Sequence, residues 1–283
     1  MIDVIVPVYD GLEETKRCID SVLKNRNATP FNLLVIDDCS PNPGIRSYLQ
    51  ALSEKGVIEL LVNDKNIGFV RTANRGMSLH PDRDVLLLNS DTEVANDWLD
   101  RIVKHAESDG RIATITPFSN NAELCSFPRY CQPNALFLGK SVAEIDAVFA
   151  SLPASQIDIP TGVGFYMFIR RDALIDIGMF DELTFGMGYG EENDWCLRAT
   201  AAGYHHRLCG AVFVLHRGEV SFGADASPGK KHSQAIIDAR YPQYTQQIAA
   251  HFADDPARPM RRAVDLLRLA GTALPRILFV THS

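Results

Sequence analysis

Ile2-Asp3-Val4-Ile5-Val6-Pro7-Val8-Tyr9-Asp10 is a β-branched run that breaks into polar residues at its end, the signature of a short buried strand. Outward from it, Leu12, Thr15, Ile19, Val22 and Leu23 recur at helical spacing, and residues 32–36 are apolar again. Further runs at 58–62, 85–88 and 112–115 are separated by helix-compatible segments. Strands made of continuous Val, Ile and Leu are buried on both faces. The pattern therefore predicts an α/β fold: a Rossmann-like, mostly parallel sheet flanked by helices and joined by right-handed crossovers.

Composition narrows the function without choosing it. The 283 residues are 46% hydrophobic and 22% charged, ordinary globular material. A net charge of -7, from 28 Lys and Arg against 35 Asp and Glu, leaves no footprint for nucleic acid and leaves carboxylates available to hold cations. The six cysteines show neither C-x-x-C spacing nor disulfide density, as expected of reduced thiols filling a core. No stretch approaches the roughly 20 apolar residues of a membrane span, and no charged leader with an apolar segment precedes Ile2. A cytoplasmic protein is expected.

In sheets of this kind ligands bind beyond the carboxyl ends of the strands. The first strand ends in Pro7-Val8-Tyr9-Asp10, the second in Asp37-Asp38-Cys39-Ser40, and the fourth in Asn89-Ser90-Asp91, while the third leads to Asn66-Ile67-Gly68-Phe69. Like charges gathered at one crevice repel unless a cation or a hydrogen-bonding ligand sits among them. The plain alternative is that Asp and Asn end strands as turn formers and helix caps.

Pro7-Val8-Tyr9, Asp37-Asp38, Asn66-Ile67-Gly68-Phe69 with Asn74-Arg75-Gly76, and Asn89-Ser90-Asp91 resemble the successive nucleotide-sugar motifs of family 2 glycosyltransferases. The resemblance runs from Ile2 to about Gly223 and is closest to bacterial surface-polysaccharide enzymes, many of them assigned as rhamnosyltransferases. It implies a GT-A fold, a nucleotide diphosphate sugar donor (rhamnose among the candidate sugars) and a glycan or lipid-linked glycan acceptor, as in O-antigen synthesis. Under it, Pro7 and Tyr9 pack beside the base, Asp37 accepts from the base's N–H edge, and Asn74 with the open backbone at Gly68 accommodates ribose and diphosphate. Asp10, Asp38, Asn89 and Ser90 complete the donor site, and Arg71 is either a phosphate contact or a solvated helix-surface arginine. Asp91 is the metal-binding aspartate of a D-x-D motif, holding Mn2+ or Mg2+ that neutralises the leaving diphosphate. Asn89 stands where many members carry the first aspartate, which lowers the charge of the site.

In the second half, Thr161-Gly162-Val163-Gly164-Phe165 precedes an apolar run at 166–169 and resembles the segment lining donor sugar and acceptor, with Thr161, Gly162 and Trp195 as sugar contacts. A glycine-rich loop, Gly186-Met187-Gly188-Tyr189-Gly190, leads into Glu191-Glu192-Asn193-Asp194-Trp195. This looks like the family's acidic pair opening a helix. An inverting transfer needs one carboxylate to take the proton of the acceptor hydroxyl; the alignment favours Glu192, and Glu191 stays in contention. Acidic residues also favour the first turn of any helix. The run at 212–215 ends in His216, which in this family can join the aspartate on the metal.

Trp98 reads as core, and the loop through Asn120-Asn121 and residues 125–133 reads as a cover over the crevice, with Phe127 and Tyr130 either stacking on sugar or packing. The expected organisation is 1–229 as the GT-A domain, with a nucleotide half (1–117) and an acceptor half (118–229), then a helical extension over 230–272. That extension carries Arg258, Arg261, Arg262 and Arg268 beside Ala263, Leu266 and Leu267. A basic amphipathic helix can lie on the inner face of an anionic membrane; a solvated or interdomain face is the simpler reading. Residues 273–283 read as the opening strand of a following GT-B type domain, so the chain is expected to be the N-terminal module of a longer transferase. Two rival classes fit the residues less well. A sugar nucleotidyltransferase lacks here its glycine-rich phosphate loop after strand one. A degenerate module that only binds nucleotide-sugar would have no use for a base.

Overall fold

The computed structural model describes residues 1–218 and 226–271. Elements follow the order β1 (Ile2–Val8), α1 (Leu12–Lys24), β2 (Phe31–Asp37), α2 (Pro43–Glu54), β3 (Glu59–Val62), α3 (Phe69–Met77), β4 (Asp84–Leu88), β5 (Thr92–Glu93), α4 (Trp98–Ala106) and β6 (Ile112–Ser119). The second half adds α5 (Val142–Ala150), β7 (Gln156–Asp158), β8 (Tyr166–Ile169), α6 (Arg171–Ile177), α7 (Glu182–Phe185), α8 (Glu191–Ala201), β9 (His205–His216), α9 (Ala226–Arg240), α10 (Tyr244–Asp254) and α11 (Arg258–Ala270).

The strands form one sheet in the order β3-β2-β1-β4-β8-β6-β9-β5, with β7 paired to β9. β1 pairs parallel with β2 and β4, and β2 with β3. β8 then enters antiparallel between β4 and β6, while β6 runs parallel to β9. Apolar runs do not encode strand direction, so the antiparallel insertion is something only the fold supplies. The two-sided burial is direct: Val4, Val6 and Val8 join Ile19, Val22 and Trp98 in one core layer, and Ile5 joins Val70, Met77 and Trp195 in the other.

The C-terminal helices belong to the same body. Ile237 of α9 and Tyr244 of α10 sit in the second layer, and Val264 of α11 in the first. The arginines of α11 do not form one basic face: Arg261 and Arg268 are buried over the rings of Tyr130 and Phe137, while Leu266 and Leu267 point outward. Phe127 packs edge-on against Phe149 and Tyr130 against Phe252, so both aromatics are packing residues rather than a sugar platform. No described helix is long and apolar enough to cross a membrane. Ser221, Phe222, Gly223 and the expected strand at 273–283 lie outside the described residues.

Candidate active site

A cavity of about 410 Å³ opens past the carboxyl ends of β1, β2 and β4, a volume that suits a nucleotide-sized ligand. Pro7, Tyr9, Asp38, Gly68, Asn89 and Ser90 line one part of it; Asp91, His216, Glu191 and Glu192 line another.

Asp38 is 4% exposed, and its carboxylate is fully engaged. It accepts from Asn63 Nδ2 at 2.7 Å and from the backbone N–H groups of Ile67 and Gly68, each at 2.9 Å. Asp38 thereby fixes the loop that opens α3. Gly68 must be glycine: its φ is +85°, and a Cβ there would meet Met187 Cα at 2.8 Å. The donor-side loop and the glycine-rich loop ahead of α8 are thus packed backbone to backbone, with Phe69 N–H donating to Met187 O at 3.3 Å.

Asp91 and His216 are brought together from β4's end and β9's end, with His216 Nε2 3.5 Å from Asp91 Oδ1. The imidazole is held on every side. Its Nδ1 lies 2.6 Å from Asn121 O, which can only accept, so Nδ1 carries the proton. Phe165 stacks on the ring at 5.1 Å, and Asn120 accepts from the His216 N–H at 2.8 Å and donates back to its carbonyl at 3.0 Å. The ring so oriented turns Nε2 toward a carboxylate oxygen, an arrangement that fits a cation between two donors. Asp91 Oδ2 is steadied by the Gly218 N–H at 2.9 Å. One carboxylate oxygen and one imidazole nitrogen suit Mn2+. Among the described residues no group of three or more His, Cys, Asp or Glu could hold a metal alone, so remaining ligands would come from substrate oxygens and water.

The first turn of α8 carries the other chemistry. Gly190, at φ +89°, caps it with a backbone turn that side chains avoid, and a Cβ would meet the Phe185 ring at 2.9 Å. Glu191 Oε2 and Glu192 Oε2 are buried with no hydrogen-bond partner. Burial first, and then the Glu192 charge beside it, pushes Glu191 well above the usual carboxylate range; burial also raises Glu192. Two buried carboxyl groups side by side, both raised, favour a state in which the pair holds one proton between them. The backbone of Gly164 passes the Glu192 carboxyl, where a Cβ would lie 3.9 Å away.

A family model described as "Glycosyl transferase family 2" matches residues 3–178, more than half of the 283. The chain belongs to glycosyltransferase family 2. "Glycosyltransferase AglE" of Haloferax volcanii is 24% identical over 218 residues, covering 76% of this chain and 66% of that protein. Among solved structures, GalNAc-T7 with UDP, GalNAc and Mn2+ superposes at a TM-score of 0.63 and 16% identity, over 94% of this chain and 54% of that one. A mannosyltransferase from Pyrobaculum calidifontis with GDP-Man and Mn2+ gives 0.59 and 18%, over 97% and 76%. S. aureus TarS 1-349 with UDP-GlcNAc gives 0.58 and 17%, over 89% and 72%. The chain thus spans just under two thirds of its curated relative and about half of GalNAc-T7. At these identities the solved structures show the shared GT-A fold.

Not every residue of the family motifs faces the cavity. Asp37 is fully buried, spends its oxygens on the Ser40 N–H at 2.8 Å and on Arg46, and is not among the residues lining the cavity. Asn74 clamps the backbone of Phe180, accepting from its N–H at 3.1 Å and donating to its carbonyl at 3.0 Å. Arg71 lies on the outer side of α3, half-exposed, with Nε 3.9 Å from Glu182. Asp10 is exposed and caps Gly11 N–H at 2.7 Å. Trp195 is fully buried and donates to Gly178 O at 2.7 Å, and Thr161 donates within the same wall, to Gly162 O or Asn193 Oδ1, each at 3.0 Å. Gly162 is packed against Thr114 and Met167. In this family 2 chain these residues hold the walls; the cavity surface of the 161–165 segment is Val163, Gly164 and Phe165.

The sequence passed over other lining residues: Glu123, Met187, Tyr189 and Lys230. Glu123 had one signal, a place in the expected covering loop; the structure sets it at φ +43°. His206, which had no context in sequence, is buried between Thr114 Oγ1 at 2.8 Å and Cys196 O at 2.9 Å, and burial lowers it to about 4. It ties α8 to the sheet.

Proposed function

We propose that the protein is an inverting, divalent-cation-dependent glycosyltransferase that moves a sugar from a nucleotide diphosphate donor onto a hydroxyl of a glycan. The observation that carries this reading is one cavity lined both by the Asp91–His216 pair and by Glu191 and Glu192, each of which keeps a buried carboxyl oxygen without a hydrogen-bond partner. Proteins of the same fold hold UDP with GalNAc, GDP-Man or UDP-GlcNAc, the first two with Mn2+, which supports the donor class and the cation.

The residues divide the work. Pro7 and Tyr9 provide a wall for a base, and the Asp38-fixed loop at Gly68 offers open backbone for ribose and phosphate. Asp91 Oδ1 and His216 Nε2 would hold the cation, which when bound offsets the charge building on the departing diphosphate. Glu192, ionised, accepts the proton of the acceptor hydroxyl as its oxygen bonds to the anomeric carbon; the bond to the diphosphate breaks and its electron pair leaves with phosphate. Glu191 keeps its proton and orients Glu192.

Calorimetric titration with UDP, dTDP and GDP, each with Mn2+ and with EDTA, tests the reading. Binding of one diphosphate that requires Mn2+ is the expected result, and it selects the donor base; dTDP covers the thymidine-linked rhamnose that the resemblance makes a candidate. Absence of binding to all three by folded protein would contradict it and favour a degenerate module.

A further inference from the structure

Among the described residues, five carboxyl groups line the cavity: those of Asp38, Asp91, Glu123, Glu191 and Glu192. Asp38 is spoken for by amides and Glu191 keeps its proton on the reading above, but the others present a negative surface to a ligand whose own reacting part is a polyanion. A divalent cation offsets part of this. Among the described residues, Lys230 is the one lysine or arginine that lines the cavity.

Lys230 is also available. It is exposed and enters none of the ion pairs among the described residues, and its Nζ rests 5.0 Å from the centroid of the Tyr189 ring. A cation parked over an aromatic face is held weakly and can exchange that contact for an anion. Tyr189 itself sits at φ +70°, in the glycine-rich loop two residues before Glu191. The helix that carries Lys230 is anchored to the helix that carries the glutamates. Arg240 Nη1 donates to Asp194 at 2.8 Å and to Asp181 at 3.0 Å, the Tyr241 hydroxyl donates to Asp194 at 2.9 Å, and Ile237 is in the core. Its ammonium is thus delivered to the mouth of the cavity by a fixed support.

We infer that Lys230 is the protein's own counter-charge for the donor diphosphate, leaving the Tyr189 ring to pair with a phosphate oxygen when the donor is bound. The inference rests on the donor reading above. A compact ammonium suits a phosphate as a point charge. Because charge grows on the diphosphate as its bond to the anomeric carbon breaks, the contact strengthens during transfer and affects turnover as well as binding.

The test is calorimetry in Mn2+ on the wild type, Lys230→Met and Lys230→Arg, with the preferred nucleoside diphosphate and the matching uncharged nucleoside. Lys230→Met is expected to weaken the diphosphate about tenfold or more, leave the nucleoside unchanged and melt with the wild type, while Lys230→Arg recovers most of the loss. Diphosphate affinity within twofold of wild type in Lys230→Met, or equal losses for diphosphate and nucleoside, overturns the inference while the donor reading stands. Failure of the wild type to bind any diphosphate overturns both.

Discussion

Asp38 and the Glu191–Glu192 pair are buried at the same cavity, yet they are treated in opposite ways. Every oxygen of Asp38 accepts a hydrogen bond, two of them from backbone amides of the loop it shapes. Each glutamate keeps one buried oxygen without a partner. A satisfied buried carboxylate is architecture, whereas an unsatisfied one costs stability and persists where a substrate supplies the missing partner. The Asp38 side of the cavity is thus built from completed interactions and the Glu191–Glu192 side from interrupted ones.

That contrast can be broken by substitution. The largest expected effect is at the Asp91–His216 pair: Asp91→Ala, or chelation of the wild type with EDTA, should reduce transfer by about 1,000-fold, because neither His216 nor the diphosphate alone retains the cation. Donor binding in calorimetry should lose its Mn2+ dependence in the variant. Next comes Asp38→Asn, which turns an acceptor-only group into one that faces backbone donors with an NH2. It should cost about 2–3 kcal/mol in urea unfolding and raise donor KM, a stability effect first and a catalytic effect second. An unchanged unfolding midpoint would remove the architectural assignment.

The smallest effect sharpens the pair itself. Glu191→Gln preserves a neutral hydrogen-bond donor beside Glu192, so turnover should fall less than about tenfold. Its signature is in stability against pH. Glu191 is raised in the fold by burial and by Glu192, so its contribution is complete below the ordinary carboxylate pKa and is lost as pH rises toward its folded value. Thermal melts from pH 5 to 8 should therefore decline more steeply for wild type than for Glu191→Gln, and parallel curves would show that Glu191 is not the proton holder.

The two halves were also unequally legible. β1, β2 and β4 could be read almost to the residue because each is a mostly apolar run with a polar stop, interrupted only by Asp3 in β1 and Asn32 in β2, and the expected strand at 85–88 differs from Asp84–Leu88 by one residue. β9 was read only over 212–215, since His205-His206-Arg207 at its start hides a buried histidine behind polar neighbours. The motifs that hold Asp91, His216, Glu191 and Glu192 meet at one cavity, but a motif does not say which of its side chains turn inward. Asp37 and Asp38 are adjacent, and only Asp38 lines the cavity; Trp195 lies one turn beyond the glutamates and packs into the core. Lys230 had no local signature at all, because its place depends on how Arg240 and Tyr241 dock α9 on Asp194.

The most direct test of the account is to measure, on one preparation of Glu192→Gln, both donor affinity in Mn2+ and the release of nucleoside diphosphate with simple glycoside acceptors. The account predicts donor affinity within a few fold of wild type and turnover lowered about 100- to 10,000-fold. Turnover that matches the wild type would contradict it, and would remove the unpartnered glutamates from the chemistry.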